Sequence, residues 1–213
     1  MRTTQRTALS MFIERGFDDV TVGEIAAEVG MAPSTLYRHF RTKEDIVMWD
    51  EHDAAIDVAL DRALAGRPPL EALRMVFVDE LATRYDVDLD FQLRRIRYIY
   101  ATKQLHAAAV EADLRTRAEL ATGLEQTMTK PNRPAAAIIA AAASLLALDI
   151  AIDRWQADNA KQSLAKRIEE SFPAARANQP AGLKPSPRHA CHGSSRTALP
   201  VRHSHIRSVK PDP

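Results

Sequence analysis

The sequence predicts an all-α protein, in which several short N-terminal helices are followed by longer ones. Apolar residues recur three and four positions apart along most of the chain, which is the spacing of one face of an α-helix. Aromatic residues make up only 6% of the 213 residues, and alanine and leucine are frequent, so helices are favoured over strands. Glycine and proline divide this pattern into segments and mark where the helices begin and end.

Charge is unevenly distributed along the chain. The formal net charge is +1, yet residues 176–213 hold seven basic residues and one acidic residue, with six prolines and four histidines. This composition predicts a disordered basic tail whose "HACH" and "HSH" sequences are incidental metal ligands rather than a defined site. The rest of the chain is acidic, so any contact with nucleic acid must come from a local cluster of bases.

Several classes of protein are disfavoured by what the sequence lacks. The single cysteine, Cys191, excludes an internal disulfide framework and favours a reducing compartment. No charge-free apolar run is long enough for a bilayer and no leader precedes the first helix, so we expect a cytoplasmic protein without membrane contact. No nucleophile elbow, zinc motif or phosphate-binding glycine loop is present, so we expect no enzyme activity, no cofactor and no metal site.

The first predicted helix covers about residues 3–15. Gly16 follows it and would end it in the left-handed conformation, which glycine adopts readily. Phe17 would then fold back onto Phe12, the hydrophobic contact that often accompanies such an end.

The next two predicted helices are short and are joined by a tight turn. The first covers residues 21–30, and its Thr21 and Glu24 have the spacing of a capping box. Gly30 ends it, and Pro33 suits the first position of the following helix because a proline there loses no hydrogen bond. Two short helices in this arrangement are typical of a helix-turn-helix.

The second of these helices has one apolar and one polar face. Leu36 and Phe40 lie four positions apart and would face inward, leaving a polar set outward: Ser34, Thr35, Tyr37, Arg38 and His39. Because the major groove of B-form DNA admits one α-helix, short and basic side chains on such a helix can contact base edges and phosphates. The alternative is an ordinary helical hairpin with a solvated polar face.

These motifs together resemble a known family. The run "ALSMFIERGFDDVTVGEIAAEVGMAPSTLYRHFRTKEDIV", residues 8–47, is similar to the DNA-binding domain of the TetR (tetracycline-repressor) family of bacterial transcriptional regulators. The resemblance implies phosphate contacts from Thr21, Tyr37 and Lys43, and positions close to the bases for Ser34, Thr35, Arg38 and His39. The sequence departs from the family pattern at Ala32, where a serine or threonine usually caps the recognition helix.

The rest of the chain resembles the family's regulatory half in layout. Apolar spacing predicts further helices over residues 43–65, 70–84, about 89–100, 104–128, 134–155 and 160–172. The first of these would run unbroken from the DNA-binding half into the regulatory half, so its tilt would change the separation of two recognition helices. The predicted domains are a three-helix helix-turn-helix DNA-binding domain over 1–47, a helical ligand-binding and dimerisation domain over 48–175, and the tail over 176–213.

The resemblance also implies a homodimer formed by the last two long helices. Large apolar residues in that region are candidate interface anchors: Trp155, Leu164, Ile168 and Phe172. The alternative is that these side chains form the internal core of one subunit.

A basic and aromatic group at residues 94–106 is a candidate ligand site. The group contains Arg94, Arg97, Tyr98 and His106, and this region resembles family members associated with acyl-CoA-like ligands. The alternative is a solvated face paired with nearby acids. For the whole protein, we expect a ligand-responsive dimeric repressor released from double-stranded operator DNA by a small molecule; the alternative is a helical scaffold protein that keeps this fold without binding an operator.

Overall fold

The computed structural model describes residues 1–49, 53–128 and 132–177. In these ranges all regular secondary structure is helical, which confirms the predicted all-α class. The N-terminal helices are α1 (Arg2–Arg15), α2 (Val22–Glu28), α3 (Pro33–His39) and α4 (Lys43–Met48). They are followed by α5 (Asp53–Leu64), α6 (Pro69–Val76), a π-helical stretch (Phe77–Ala82), α7 (Thr83–Val87), α8 (Leu89–Ala101), α9 (Lys103–Thr127), α10 (Arg133–Ala157) and α11 (Leu164–Ala177).

The chain forms two compact units. Among the described residues, the first unit comprises 1–49 and 94–112, and the second comprises 53–93, 113–128 and 132–177. Helices α8 and α9 each contribute residues to both units. Residues 94–112, which were predicted to belong to the regulatory half, therefore belong to the same unit as α1 to α4.

The core of the first unit is built from the inward faces of its helices. Phe12, Ile25, Leu36 and Phe40 are almost completely buried in one cluster, and α8 and α9 add Ile99 and Leu105 to it. Gly16 ends α1 with the predicted positive φ angle, 96°, but its ψ angle of 151° is extended rather than left-handed helical. The predicted contact forms, with the ring centroids of Phe12 and Phe17 4.9 Å apart.

The predicted unbroken helix over residues 43–65 is wrong. Helix α4 ends at Met48, because Trp49 has extended backbone angles of φ −56° and ψ 133°. The Trp49 ring packs edge-on against Phe40, with centroids 6.3 Å apart, and the last carbonyl groups of α4 accept hydrogen bonds from distant side chains. A further helical turn is therefore not needed to satisfy them.

In the second unit the ends of two predicted helices differ from the structure. The helix predicted over 70–84 is a continuous helical run from α6 through the π-helical stretch to α7. The last helix begins at Leu164 rather than at residue 160, because Asn159 and Ala160 have φ angles of 59° and 55°. It continues past the predicted end at residue 172 to Ala177, with Pro173 inside it.

From residue 178 onward, the predicted tail and its "HACH" and "HSH" sequences lie outside the described residues.

The four candidate interface anchors lie in the core of a single chain. Trp155, Leu164 and Ile168 have no exposed surface, and Phe172 is 3% exposed. The Trp155 ring packs edge-on against Tyr85 with centroids 5.6 Å apart, and Phe172 packs against Phe77 at 6.1 Å. Because these side chains are already covered within one subunit, the interface prediction is wrong for them and the core alternative holds.

Helix α10 is long and apolar enough to cross a membrane by length and composition. It is also the helix that packs most extensively against α11 within the second unit. Its alanines Ala140, Ala141 and Ala151 are fully buried, which is typical of a core helix in a folded domain.

Candidate DNA-binding surface

The start of α2 is fixed by a complete capping box. The Thr21 side chain accepts from the Glu24 backbone N–H at 3.2 Å, and the Glu24 carboxylate accepts from the Thr21 backbone N–H at 2.8 Å. Arg15 at the end of α1 also donates to that carboxylate at 2.5 Å. The predicted capping box is confirmed. The Arg15 hydrogen bond joins the start of α2 to the end of α1.

The charge on Glu24 predicts a pH dependence of stability. The Arg15 hydrogen bond, followed by those from Thr21, lowers the pKa of Glu24 from 4.5 to about 2. A lowered folded-state pKa stabilises the fold above pH 4.5, and this stabilisation is lost as the pH falls toward 2. We therefore expect Glu24→Gln to be less stable than the wild type at pH 6 in urea unfolding, with the difference shrinking steadily below pH 4.5.

The matched control for this experiment is Glu28→Gln, since Glu28 is an exposed acid at the other end of α2. It removes a carboxylate from the same helix and leaves the capping box intact. A gap for Glu24→Gln that stayed constant from pH 6 to pH 2 would contradict the assignment.

The turn between α2 and α3 depends on one glycine. Gly30 has φ 66°, in the left-handed region that favours glycine. The Met31 N–H then donates to the Ala26 carbonyl at 2.8 Å, which closes the turn. As the sequence indicates, Ala32 supplies no side-chain cap to α3, and Pro33 occupies the first turn.

Helix α3 presents its polar face to solvent. Leu36 is fully buried and Phe40 is 1% exposed, so the inward face is anchored in the core. Among the predicted contact residues on this helix, Ser34, Tyr37 and Arg38 are exposed and Thr35 and His39 are partly exposed. The predicted polar group therefore lies together on one outward surface, which we call the recognition surface.

Helix α4 begins beside this surface with a second capping box, since Thr42 and Asp45 bond each other's backbone N–H groups at 3.1 and 3.0 Å. Lys43, the predicted phosphate contact, makes intramolecular contacts. Its Nζ donates to the carbonyls of Phe17 and Val20 and lies 4.5 Å from the centroid of the Phe17 ring. Lys43 thus holds the connection between α1 and α2 in place.

The predicted ligand residues lie in the first unit, on α8 and the start of α9. Arg94 and Arg97 are exposed, and His106 stacks on Tyr100 with centroids 5.5 Å apart. The Tyr98 hydroxyl donates to the Phe12 carbonyl at 2.8 Å, so this side chain supports α1.

Sequence reasoning missed the structural role of Arg95 and Gln5, which are buried and donate to the end of α4. A signal was present, because Arg95 falls four residues from both Phe91 and Ile99 on the apolar stripe of α8. An arginine in such a stripe indicates a buried charge with acceptors of its own.

Comparisons with known proteins agree with this geometry. Residues 6–48 match the family described as bacterial regulatory proteins, tetR family. The chain is 34% identical over 87 residues to the HTH-type transcriptional regulator TcmR of Streptomyces glaucescens, covering 40% of this chain and 38% of TcmR. It is 31% identical over 75 residues to the uncharacterized HTH-type transcriptional regulator YerO of Bacillus subtilis (strain 168), covering 32% of this chain and 26% of YerO. The chain thus spans less than half the length of these two relatives.

A solved structure has a similar fold over most of the chain. The crystal structure of Thermus thermophilus FadR, a TetR family transcriptional repressor in complex with lauroyl-CoA, has 22% sequence identity and a TM-score of 0.50. The similarity covers 88% of this chain and 99% of FadR, and at this identity it shows the fold alone. Together with the helix-turn-helix geometry, these comparisons show that residues 6–48 form a DNA-binding domain of the tetR family, in a chain whose fold is similar to that of a TetR family repressor.

Proposed function

We propose that this protein is a dimeric, cytoplasmic repressor that binds a palindromic operator and is released from it by a small molecule. One observation carries the proposal: α3 displays a polar face to solvent while Leu36 and Phe40 fix its other face in the core. A rigid support of this kind is what a helix needs if its side chains are to meet base edges in a fixed register.

The recognition surface divides into two kinds of contact. Ser34, Thr35, Arg38 and His39 would lie nearest the base edges, where short donors and an arginine fork can discriminate between base pairs. Thr21, Tyr37 and Lys43 would contact phosphates, which position the protein without selecting a sequence. Tyr37 is 53% exposed, which leaves its hydroxyl open to a phosphate. Thr21 caps α2, and Lys43 holds the connection between α1 and α2 in place.

The homodimer is proposed to form through α10. Three of the four exposed large apolar side chains on this helix, Ile138, Leu146 and Ile150, are 56%, 58% and 37% exposed. Ile138 and Leu146 are eight positions apart and Ile150 follows four later, so they share one stripe that is about 18 Å long at 1.5 Å per residue. An apolar stripe of this length on the exposed side of a helix is typical of a helix–helix interface between subunits.

The effector is proposed to be an amphipathic anion of the acyl-CoA class. FadR, whose fold is similar, was solved with lauroyl-CoA, and the exposed cations Arg94 and Arg97 suit a phosphate-bearing headgroup. Tyr98 lies on α8 with these two arginines, and His106 lies on the next helix, α9. The Tyr98 hydroxyl donates to the Phe12 carbonyl.

The proposal is tested by selecting duplexes from a random pool with the full-length protein. We expect a palindromic sequence to be enriched, with half-sites about one helical turn or a multiple apart. Arg38→Ala should then weaken operator binding by about 1–3 kcal/mol more than it weakens binding to random DNA, since a base contact is lost. Fluorescence anisotropy on both duplexes measures this difference.

Arg62→Ala is the matched control, because Arg62 is an exposed arginine on α5 in the second unit. It should bind both duplexes as the wild type does. Enrichment of no sequence by the wild-type protein would favour the alternative function, a helical scaffold protein that does not bind an operator.

A further inference from the structure

Arg41 is an exposed cation in the short connection between α3 and α4. The residues on either side of it, Phe40 and Thr42, have extended backbone angles of φ −131°, ψ 124° and φ −130°, ψ 166°. Neighbouring side chains of an extended chain point to opposite sides, and Phe40 points into the core, where it is 1% exposed. Arg41 therefore points away from the core, as the recognition surface of α3 does.

The backbone that carries Arg41 is held by the second capping box. The Asp45 carboxylate accepts from the Arg41 backbone N–H at 3.1 Å and from the Thr42 backbone N–H at 3.0 Å. The guanidinium group, in contrast, has no hydrogen-bond acceptor and no ion-pair partner among the described residues. Arg41 thus combines a fixed base with a charged end that is available to a partner molecule.

The residues that the family resemblance places at phosphates have fewer donors available. Thr21 donates its hydroxyl proton to the Glu24 carboxylate at 2.8 Å. The Lys43 ammonium donates to two backbone carbonyls, so at most one of its three N–H donors remains. Tyr37 is exposed, but its hydroxyl is a neutral donor. In the connection that follows α3, Arg41 therefore supplies the charge that these residues lack.

The dimensions of the major groove place such a residue beside the DNA backbone. The groove is about 12 Å wide, and an α-helix with its side chains is about 10–12 Å across, so a helix in the groove fills it from one sugar–phosphate strand to the other. A side chain just beyond the end of that helix then lies against a phosphate rather than a base. A guanidinium suits this position because it can form two parallel hydrogen bonds with phosphate oxygens.

We propose that Arg41 binds a backbone phosphate at the edge of the major groove and anchors the C-terminal end of α3 there. The inference rests on the proposed function and adds to it a contact residue that the family resemblance does not supply. Because phosphates carry no sequence information, this contact should strengthen binding to every duplex to a similar degree. It can therefore be tested on random DNA, whether or not an operator is found.

The test compares full-length wild type with Arg41→Gln on a random-sequence duplex, by fluorescence anisotropy from about 50 to about 200 mM salt. The Kd of Arg41→Gln should rise about tenfold, because a charge-assisted hydrogen bond is lost. The slope of log affinity against log salt should become shallower by about one for each bound subunit, since one phosphate fewer is neutralised. Urea unfolding should be unchanged, because the exposed guanidinium holds no internal contact among the described residues.

Three further variants make the result specific. Arg62→Gln is the matched control, because Arg62 is an exposed arginine on α5 in the second unit; it should bind as the wild type does. Arg41→Lys keeps the charge but not the fork, so we expect the wild-type salt slope with an affinity between those of the wild type and Arg41→Gln. Lys43→Ala should reduce the salt slope by no more than Arg41→Gln does.

The outcomes separate the inference from the proposed function. If Arg41→Gln left the Kd and the salt slope on random duplex unchanged, or if it weakened binding to an enriched operator alone, the phosphate contact would be wrong. A loss of stability with an unchanged slope would instead assign Arg41 a structural role and exclude the contact. If no sequence is enriched but Arg41→Gln still shows the loss on random duplex, the contact stands and the operator proposal fails. Wild-type protein that binds no duplex even at the lowest salt would contradict both.

Discussion

Trp155→Ala should lower the free energy of unfolding by about 3–5 kcal/mol, the range found when a fully buried aromatic residue is truncated. Trp155 has no exposed surface, and its ring packs edge-on against Tyr85, so truncation leaves a cavity and removes an aromatic pair. Urea unfolding at several protein concentrations measures the change and separates folding from association. Trp155→Phe, which keeps one ring, should lose clearly less.

Leu146→Asp is the matched contrast on the exposed face of α10. Leu146 is 58% exposed, so its replacement leaves no cavity, but it places a charge on the proposed dimer stripe. Sedimentation should show Leu146→Asp shifted toward monomer and Trp155→Ala still dimeric where folded. If Trp155→Ala dissociated the dimer without loss of stability, the core assignment would be wrong.

The helix starts could be predicted because the interactions that fix them are local. Thr21 with Glu24, and Thr42 with Asp45, are three residues apart, and both pairs form capping boxes in the structure. Gly16 and Gly30 likewise have the positive φ angles that their places after a helix indicate. The polar face of α3 followed from the spacing of Leu36 and Phe40 alone.

The end of α4 could not be predicted in the same way. Its carbonyls are satisfied by Gln5 and Arg95, which lie more than forty positions away in sequence. Apolar spacing continues across Trp49, so periodicity alone favours an unbroken helix. Nor does spacing show whether Trp155 faces its own subunit or another, because core and interface use the same large apolar residues.

The assignment of Lys43 combines a family resemblance with an observed contact. The family resemblance places it at a phosphate, whereas the structure shows its ammonium on the carbonyls of Phe17 and Val20. The two roles are compatible, because an ammonium has three N–H donors and one can face solvent. They nevertheless differ in what their loss should do to stability.

Lys43→Ala should therefore lower both stability and DNA binding. Hydrogen bonds from a charged donor contribute roughly 1.5–3 kcal/mol and an exposed cation–π contact about 0.5–1 kcal/mol, so we expect a loss of about 2 kcal/mol in the free energy of unfolding. Binding to operator and to random duplex should fall by similar factors, with a smaller salt dependence, since phosphates carry no sequence information. Arg41→Ala, a change at an exposed cation two residues earlier, should leave stability unchanged. A variant at Lys43 that unfolds like the wild type yet loses DNA binding would exclude the structural role, and one that loses stability alone would exclude the phosphate contact.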